Sequence, residues 1–572
     1  MPITKKYKTG VIILSCIPIL VFFFVVFMYA SNIPFQDDYD GLLEPVTRIA
    51  SLSSFEWSGF FKIIWIQDDE RRIVLDRVIA IALYGISGSL NFKAILLIGL
   101  LSVVGLFVIF ATVIKQAKLP YLLLISFSLL LFHIQYYEAI LWPMIPLQHI
   151  AVYFFALLTS YFLYKHSQLL IAILFAWLTV CCDVSGTFIL PTGVVLLLIQ
   201  KRWKGLFIWS LLVGISVGFY YYKLELPAYR PKPLENLRHP LLILSNLFTF
   251  SGLSVDFNGI LSFKFRIILI ISWGFFLIIY TLTRVFSLIK NCFFIDKKPL
   301  TSHWEITLWG GIIHIGITML AFAVGRAIEG LDAVLISRYK HVGFIWLILI
   351  YLLFITSLGN NNKILASKAI LVFATVISVY SYFQYWANID FYYKERQNDI
   401  YEWQTNRALP STPIYLTFQK EIDAMTNNAI NCGVYHLPEY YLSNFRTLPK
   451  SNKTFPVDIK VYPGNIAFIS SEYTRKNGKQ DGAYLILSSK EQQHIIPSKS
   501  NRYSIKSFLF SFGKNYYANG FSNTLTTGFL KPNQIYTLSV LCVEGDLKSI
   551  YPTRHQIQTL ADPEHDLKVI TL

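Results

Sequence analysis

Charge is what this chain has least of. Only 15% of its 572 residues are Asp, Glu, Lys or Arg, against about a quarter in soluble proteins. Acids are the smaller share, 34 against 50 basic residues. Cysteine is scarce as well, six in all, and none stands at metal-ligand spacing: Cys181 and Cys182 are adjacent in an apolar run, while Cys16 and Cys292 are isolated. Cys432 and Cys542 alone fall in polar sequence, where an oxidising compartment would permit a disulfide. No Walker loop, zincin motif or dinucleotide fingerprint stands in a suitable strand–helix context, which argues against a nucleotide-driven machine. What fills the chain is apolar: 54% hydrophobic and 16% aromatic residues, with mean hydropathy +0.49. These values describe a polytopic membrane protein.

The net charge of +16 does not indicate a nucleic-acid partner, because the basic residues form short clusters between apolar runs: Lys5-Lys6-Tyr7-Lys8, Lys201-Arg202-Trp203-Lys204 and Lys297-Lys298. That pattern suits cytoplasmic loops facing anionic lipid. Apolar runs at 11–30, 92–114, 120–134, 148–164, 168–183, 186–200, 205–223, 266–284, 305–324, 342–358 and 364–384 predict about eleven transmembrane helices. The first run is too long for a signal-peptide core, so it is retained as a span. The segment 73–88 has about a dozen apolar residues and would reach only ~18 Å of a ~30 Å core. It is expected to lie in the membrane interface.

Leaving it out of the span count puts the N-terminal lysines, Lys115/Lys118, Lys165, Lys201/Arg202/Lys204 and Arg284/Lys290/Lys297/Lys298 on one side, which positive-inside makes cytoplasmic. Loops 31–91, 133–147, 224–265 and 325–341 then share the far face. Arg326, Arg338 and Lys340 on that face run against the rule, as an anion-binding role would explain; the alternative is a simple exception to a statistical rule. From about residue 388 the composition turns polar with Pro and Gly turns, defining a transmembrane domain 1–387 and an extracytoplasmic tail 388–572 of roughly 185 residues, enough for its own core. Alternating runs at 413–417, 465–469, 483–487 and 535–540 predict a β-rich sandwich there.

The chemistry-bearing residues sit at span ends. Asp37, Asp38 and Asp40 follow the first span, at the lip of a membrane where carboxylates cost several kcal/mol. Asp37 or Asp38 could deprotonate an acceptor hydroxyl or hold a divalent cation (Mg or Mn); alternatively the group caps a turn or helix start. In the same loop, Arg71 and Arg72 suit bidentate phosphate contact, with Glu70 to orient one of them; the alternative is a solvated turn with snorkelling arginines. Arg326 and Arg338, with Tyr339, place further guanidinium groups where a lipid phosphate would lie; anchoring to headgroups is the alternative. His133, Gln135, Tyr136, Tyr137, Glu138, Trp142 and Gln148 form a polar and aromatic segment able to stack on and hydrogen-bond a sugar, though an interfacial aromatic belt has the same composition. Asp183, an acid at a helix edge, is a further candidate for a cavity wall.

Together, Pro34-Phe35-Gln36-Asp37-Asp38-Tyr39-Asp40, Glu70-Arg71-Arg72-Ile73-Val74-Leu75 and the pair Gly325-Arg326 and Ser337-Arg338-Tyr339 resemble the GT-C superfamily of polyprenyl-phosphate-sugar-dependent glycosyltransferases. More narrowly, they are similar to a set in bacterial proteins related to O-antigen-modifying glucosyltransferases. The likeness covers the membrane half. It implies a GT-C-like fold, a sugar donor on undecaprenyl phosphate, a lipid-linked or lipopolysaccharide glycan as acceptor, inversion at the anomeric carbon, and a place in the inner membrane with the tail in the periplasm. A lipid-linked-oligosaccharide flippase would instead need charges deep inside spans and two comparable halves. A glycan polymerase or ligase would lean on arginines without the acidic pair, and an acyltransferase would carry a His motif within a span.

Overall fold

The computed structural model describes residues 5–571 except 53, 55, 229–232, 295–299, 301, 477, 512–515 and 563–566. Lys297 and Lys298 lie outside the described residues. The chain is mostly helical and folds as two compact units, one formed by residues 1–28, 51–87 and 94–384, the other by 29–50, 88–93 and 385–572. The composition break at 387/388 lies near the last of these boundaries. The acidic segment, expected with the membrane half, belongs by its contacts to the second unit.

Among the described residues, seven helices are long and apolar enough to cross a membrane: Lys6–Tyr29, Phe92–Gln116, Trp203–Tyr221, Phe263–Cys292, His303–Gly325, Ser337–Thr356 and Asn360–Asn406. Several carry lipid-ready surfaces, such as exposed Ile13, Leu20 and Phe24 on the first and Phe265, Phe276 and Phe286 on the fourth. Helix His303–Gly325 begins at a capping box, in which the Ser302 hydroxyl accepts from the Glu305 amide and donates to the Glu305 carboxylate at 2.6 Å. Shorter apolar helices include His166–Cys182, Val184–Ile199 and Pro240–Val255.

Pro240–Val255 corrects the sequence reading, which had a loop across 224–265. It pairs with the helix Phe263–Ile289 backbone against backbone. A Cβ added at Gly252 would meet the Ile270 carbonyl, and one at Gly274 the Phe248 carbonyl, so both positions need glycine. The segment 73–88, expected to lie in the interface, forms the helix Val74–Ser87.

The second unit holds nine strands among its described residues: β1 (Asp458–Tyr462), β2 (Asn465–Thr474), β3 (Gly482–Ser488), β4 (Gln493–Pro497), β5 (Lys499–Arg502), β6 (Tyr517–Thr526), β7 (Ile535–Glu544), β8 (Leu547–Thr559) and β9 (Leu567–Thr571). They form two antiparallel sheets, ordered β1-β2-β6-β5 and β4-β3-β7-β8-β9. Ile466 and Phe468 of β2, Leu485 and Leu487 of β3, Phe521 of β6 and Val540 of β7 share one core between the sheets. The alternate residues Tyr484 and Ile486 face a second core with Tyr401, Tyr440 and Phe445, so β3 is covered on both faces. Three of the four expected strands are present. The fourth, 413–417, is instead a 3₁₀ turn, Pro413–Leu416, leading into the helix Gln419–Asn431. No disulfide joins Cys432, which is exposed, to Cys542, which is buried.

Candidate active site

In the helical unit, the turn 68–71 is closed by two main-chain bonds, Asp68 N–H to Arg71 O at 2.8 Å and Arg71 N–H to Asp68 O at 2.9 Å. Arg71 Nε donates to Asp68 Oδ2 at 3.2 Å, which fixes the direction of its side chain. Arg326 ends the helix His303–Gly325, donating from one guanidinium nitrogen to Glu329 at 2.9 Å and from another to Glu70 at 3.2 Å. Its charged carbon stands 5.5 Å from the centre of the Phe322 ring. The turn of the first loop and the end of a distant helix are thereby tied together.

These groups line a cavity of about 270 Å³ that also takes in His149, Tyr153, Asp183, Ser185, Phe250, Thr318 and Tyr339. Four of the residues chosen from sequence, Glu70, Arg71, Arg326 and Tyr339, are on its wall, as is Asp183. His149 and Tyr153 were missed; they sit at the head of an apolar run, where nothing in the sequence distinguishes a cavity-lining ring from core.

Asp183 arrives there because the chain leaves the helix Leu169–Cys182 in extended conformation, φ −167° and ψ 170°, before a 3₁₀ turn, Val184–Phe188. Its Oδ2 accepts from the Ser185 amide at 3.5 Å and hydroxyl at 3.1 Å. Gly186 lets that turn press on the preceding helix, since a Cβ there would strike the Thr179 carbonyl.

Two other expected cations are placed differently. Arg72 is a correction: it is buried and donates to the main-chain carbonyls of Tyr220 at 2.9 Å, Tyr222 at 2.8 Å and Trp65, so it holds the loop rather than lining the hollow. Arg338 stands 5.3 Å from the Trp142 and Tyr339 ring centres, off the cavity wall, and its amide donates to Glu138 Oε2 at 3.3 Å. Burial pushes the Glu138 carboxyl up, and the Arg338 charge offsets part of the rise. Ser337 donates to the Gln135 carbonyl at 3.1 Å, so the 133–138 segment braces the Arg338 turn.

Behind this turn, Asp256 accepts from Lys340 at 2.8 Å and from Arg266 at 2.5 and 3.0 Å, almost fully excluded from solvent. Burial alone would raise its carboxyl, but Lys340 and then Arg266 outweigh burial and hold it below the usual range.

In the second unit, Asp38 is fully buried and its Oδ2 accepts the Phe35 amide at 2.9 Å, closing the turn that enters the helical stretch Tyr39–Leu43. Asp37 is partly exposed and Asp40 exposed. The neighbouring Tyr39 phenol is pushed well above its usual range by burial first and the Asp399 charge second. The Arg396 guanidinium lies 3.6 Å over the Phe35 ring, a neighbour of the acidic turn that sequence reasoning did not find. Among the described residues no three His, Cys, Asp or Glu side chains gather as a metal site requires.

Comparisons with protein-family models, with curated proteins and with solved structures find no match to this chain.

Proposed function

We propose that this chain is an inverting glycosyltransferase of the bacterial cytoplasmic membrane, moving a sugar from a polyprenyl phosphate to a cell-envelope glycan such as lipopolysaccharide or O-antigen at the periplasmic face. In this reading the seven long apolar helices and shorter neighbours make about eleven crossings, the N-terminus is cytoplasmic and the β-rich unit periplasmic. The observation that carries the reading is the cavity of the helical unit, where Glu70, Arg71, Arg326 and Tyr339 come together from three distant segments.

When the sugar leaves, negative charge builds on the lipid phosphate. Guanidinium groups already held in place by Asp68, Glu70 and Glu329 are suited to receive it without reorganising. A guanidinium carries five N–H donors, more than one carboxylate contact uses. In the second unit, Asp37 and Asp38 are the groups proposed to serve as base for an acceptor hydroxyl or as oxygen ligands of a Mg or Mn ion. Asp37 is the more accessible of the two, since Asp38 is fully buried and its Oδ2 closes the turn.

Membrane vesicles supplied with a polyprenyl-phosphate sugar test this. Arg326→Ala should slow transfer by about 10²–10³-fold. Asp37→Asn and Asp38→Asn should both insert, with at least one losing transfer. Two fully active Asn variants would remove the loop acids from the mechanism, and passage of the intact donor across the vesicle without transfer would favour a flippase.

A further inference from the structure

Three polar atoms of the cavity have no protein partner among the described residues. Asp183 is 95% buried, with 5% of its surface exposed. Oδ2 serves the 3₁₀ turn, while Oδ1 takes no hydrogen bond or ion pair among the described residues. The other two carboxylates of the wall, Glu70 and Glu329, are both paired with Arg326. Capping therefore accounts for one oxygen of Asp183 and leaves the other open to the cavity, available to a ligand's hydrogen-bond donor. The phenol oxygens of Tyr153 and Tyr339, on the same wall, likewise take no hydrogen bond among the described residues, although both side chains are over 90% buried. Apolar ring faces stand beside them: Tyr339 meets Phe322 edge to face at 4.9 Å and Phe250 at 6.2 Å between centroids.

We infer that this part of the cavity is a subsite for a neutral hexose ring, with Asp183 Oδ1 accepting from its hydroxyls. The subsite rests on the donor reading above and adds which groups hold the sugar, next to the arginines that hold the phosphate. A hexose offers several hydroxyl donors and two weakly polar C–H faces. One charged acceptor, two phenols and flanking aromatic rings are the matching complement. A uronic acid would set a second carboxylate against Asp183 and be rejected.

The test is equilibrium binding to the full-length protein in lipid nanodiscs, titrated with undecaprenyl phosphate and with undecaprenyl-phosphate glucose. Wild type should hold the glucosylated lipid more tightly. Asp183→Asn keeps an amide oxygen for the turn, so it should bind undecaprenyl phosphate as wild type does and the glucosylated lipid at least about tenfold more weakly, the weight of one hydrogen bond to a charged group. Tyr339→Phe should shift the same ratio by less. Equal weakening of both lipids, or no wild-type preference for the glucosylated one, overturns the subsite. Unchanged binding in Asp183→Asn overturns it as well, and with lost transfer would make Asp183 a base instead. A wild type that binds neither lipid overturns the donor reading itself, a pattern distinct from every failure of the subsite alone.

Discussion

At the scale of residues, the helical unit depends on carboxylates whose charge is spent inside the protein. Asp256→Ala would remove the carboxylate that pairs with Lys340 and Arg266 in a buried place, and should cost about 3–5 kcal/mol of stability. Thermal unfolding of the detergent-solubilised protein measures it. The folded carboxyl of Asp256 lies below its unfolded value, so its contribution is fully present above about pH 4, where the unfolded carboxylate ionises, and is lost as pH falls through the folded value. The wild-type midpoint should therefore drop in acid more steeply than that of Asp256→Asn. Sequence exposed Glu70, Arg71, Arg326 and Tyr339 because polar residues at span ends are conspicuous against hydrocarbon. It did not separate Arg71 from Arg72, since adjacency says nothing about which guanidinium turns toward main-chain carbonyls. Asp183 is hard to read for a related reason: a lone acid at a helix end looks like a cap, and only the cavity shows that one of its oxygens is left over.

At the scale of elements, hydropathy found the long helices and two of the shorter ones, His166–Cys182 and Val184–Ile199, but missed a third. The run from Pro240 carries Ser245, Asn246 and Thr249 among its leucines, so it reads as loop, and only its glycine contact with the next helix reveals the pairing. That contact leaves no room for a side chain. Gly274→Leu should break the pairing and reduce the monodisperse fraction several-fold on size-exclusion chromatography, overpacking costing roughly 1–3 kcal/mol or more. Strand alternation was equally readable at 465–469, 483–487 and 535–540, where one face enters the inter-sheet core. At 413–417 the same alternation sits between Pro413 and a helix, and local turn chemistry prevails.

At the scale of the whole molecule, the sidedness argued from charge is open to direct measurement. Lys450 is exposed, and Lys450→Cys should react with a membrane-impermeant maleimide added outside spheroplasts; reaction only after lysis would overturn the span count. The second unit is assembled from separated stretches of chain, a fact that composition could not reveal. Tyr435 is fully buried, its hydroxyl donating to the Asn32 carbonyl at 2.9 Å, and the Leu90 amide donates to the Val434 carbonyl at 2.7 Å. A fragment 388–572 expressed alone should then unfold at lower temperature than the same fragment refolded with a peptide of residues 29–50. During synthesis the acidic turn leaves the ribosome early, yet its partners Tyr392 and Arg396 are translated much later. Its surroundings are completed only when they arrive, so a stop codon ahead of residue 392 would disarm residues near the beginning.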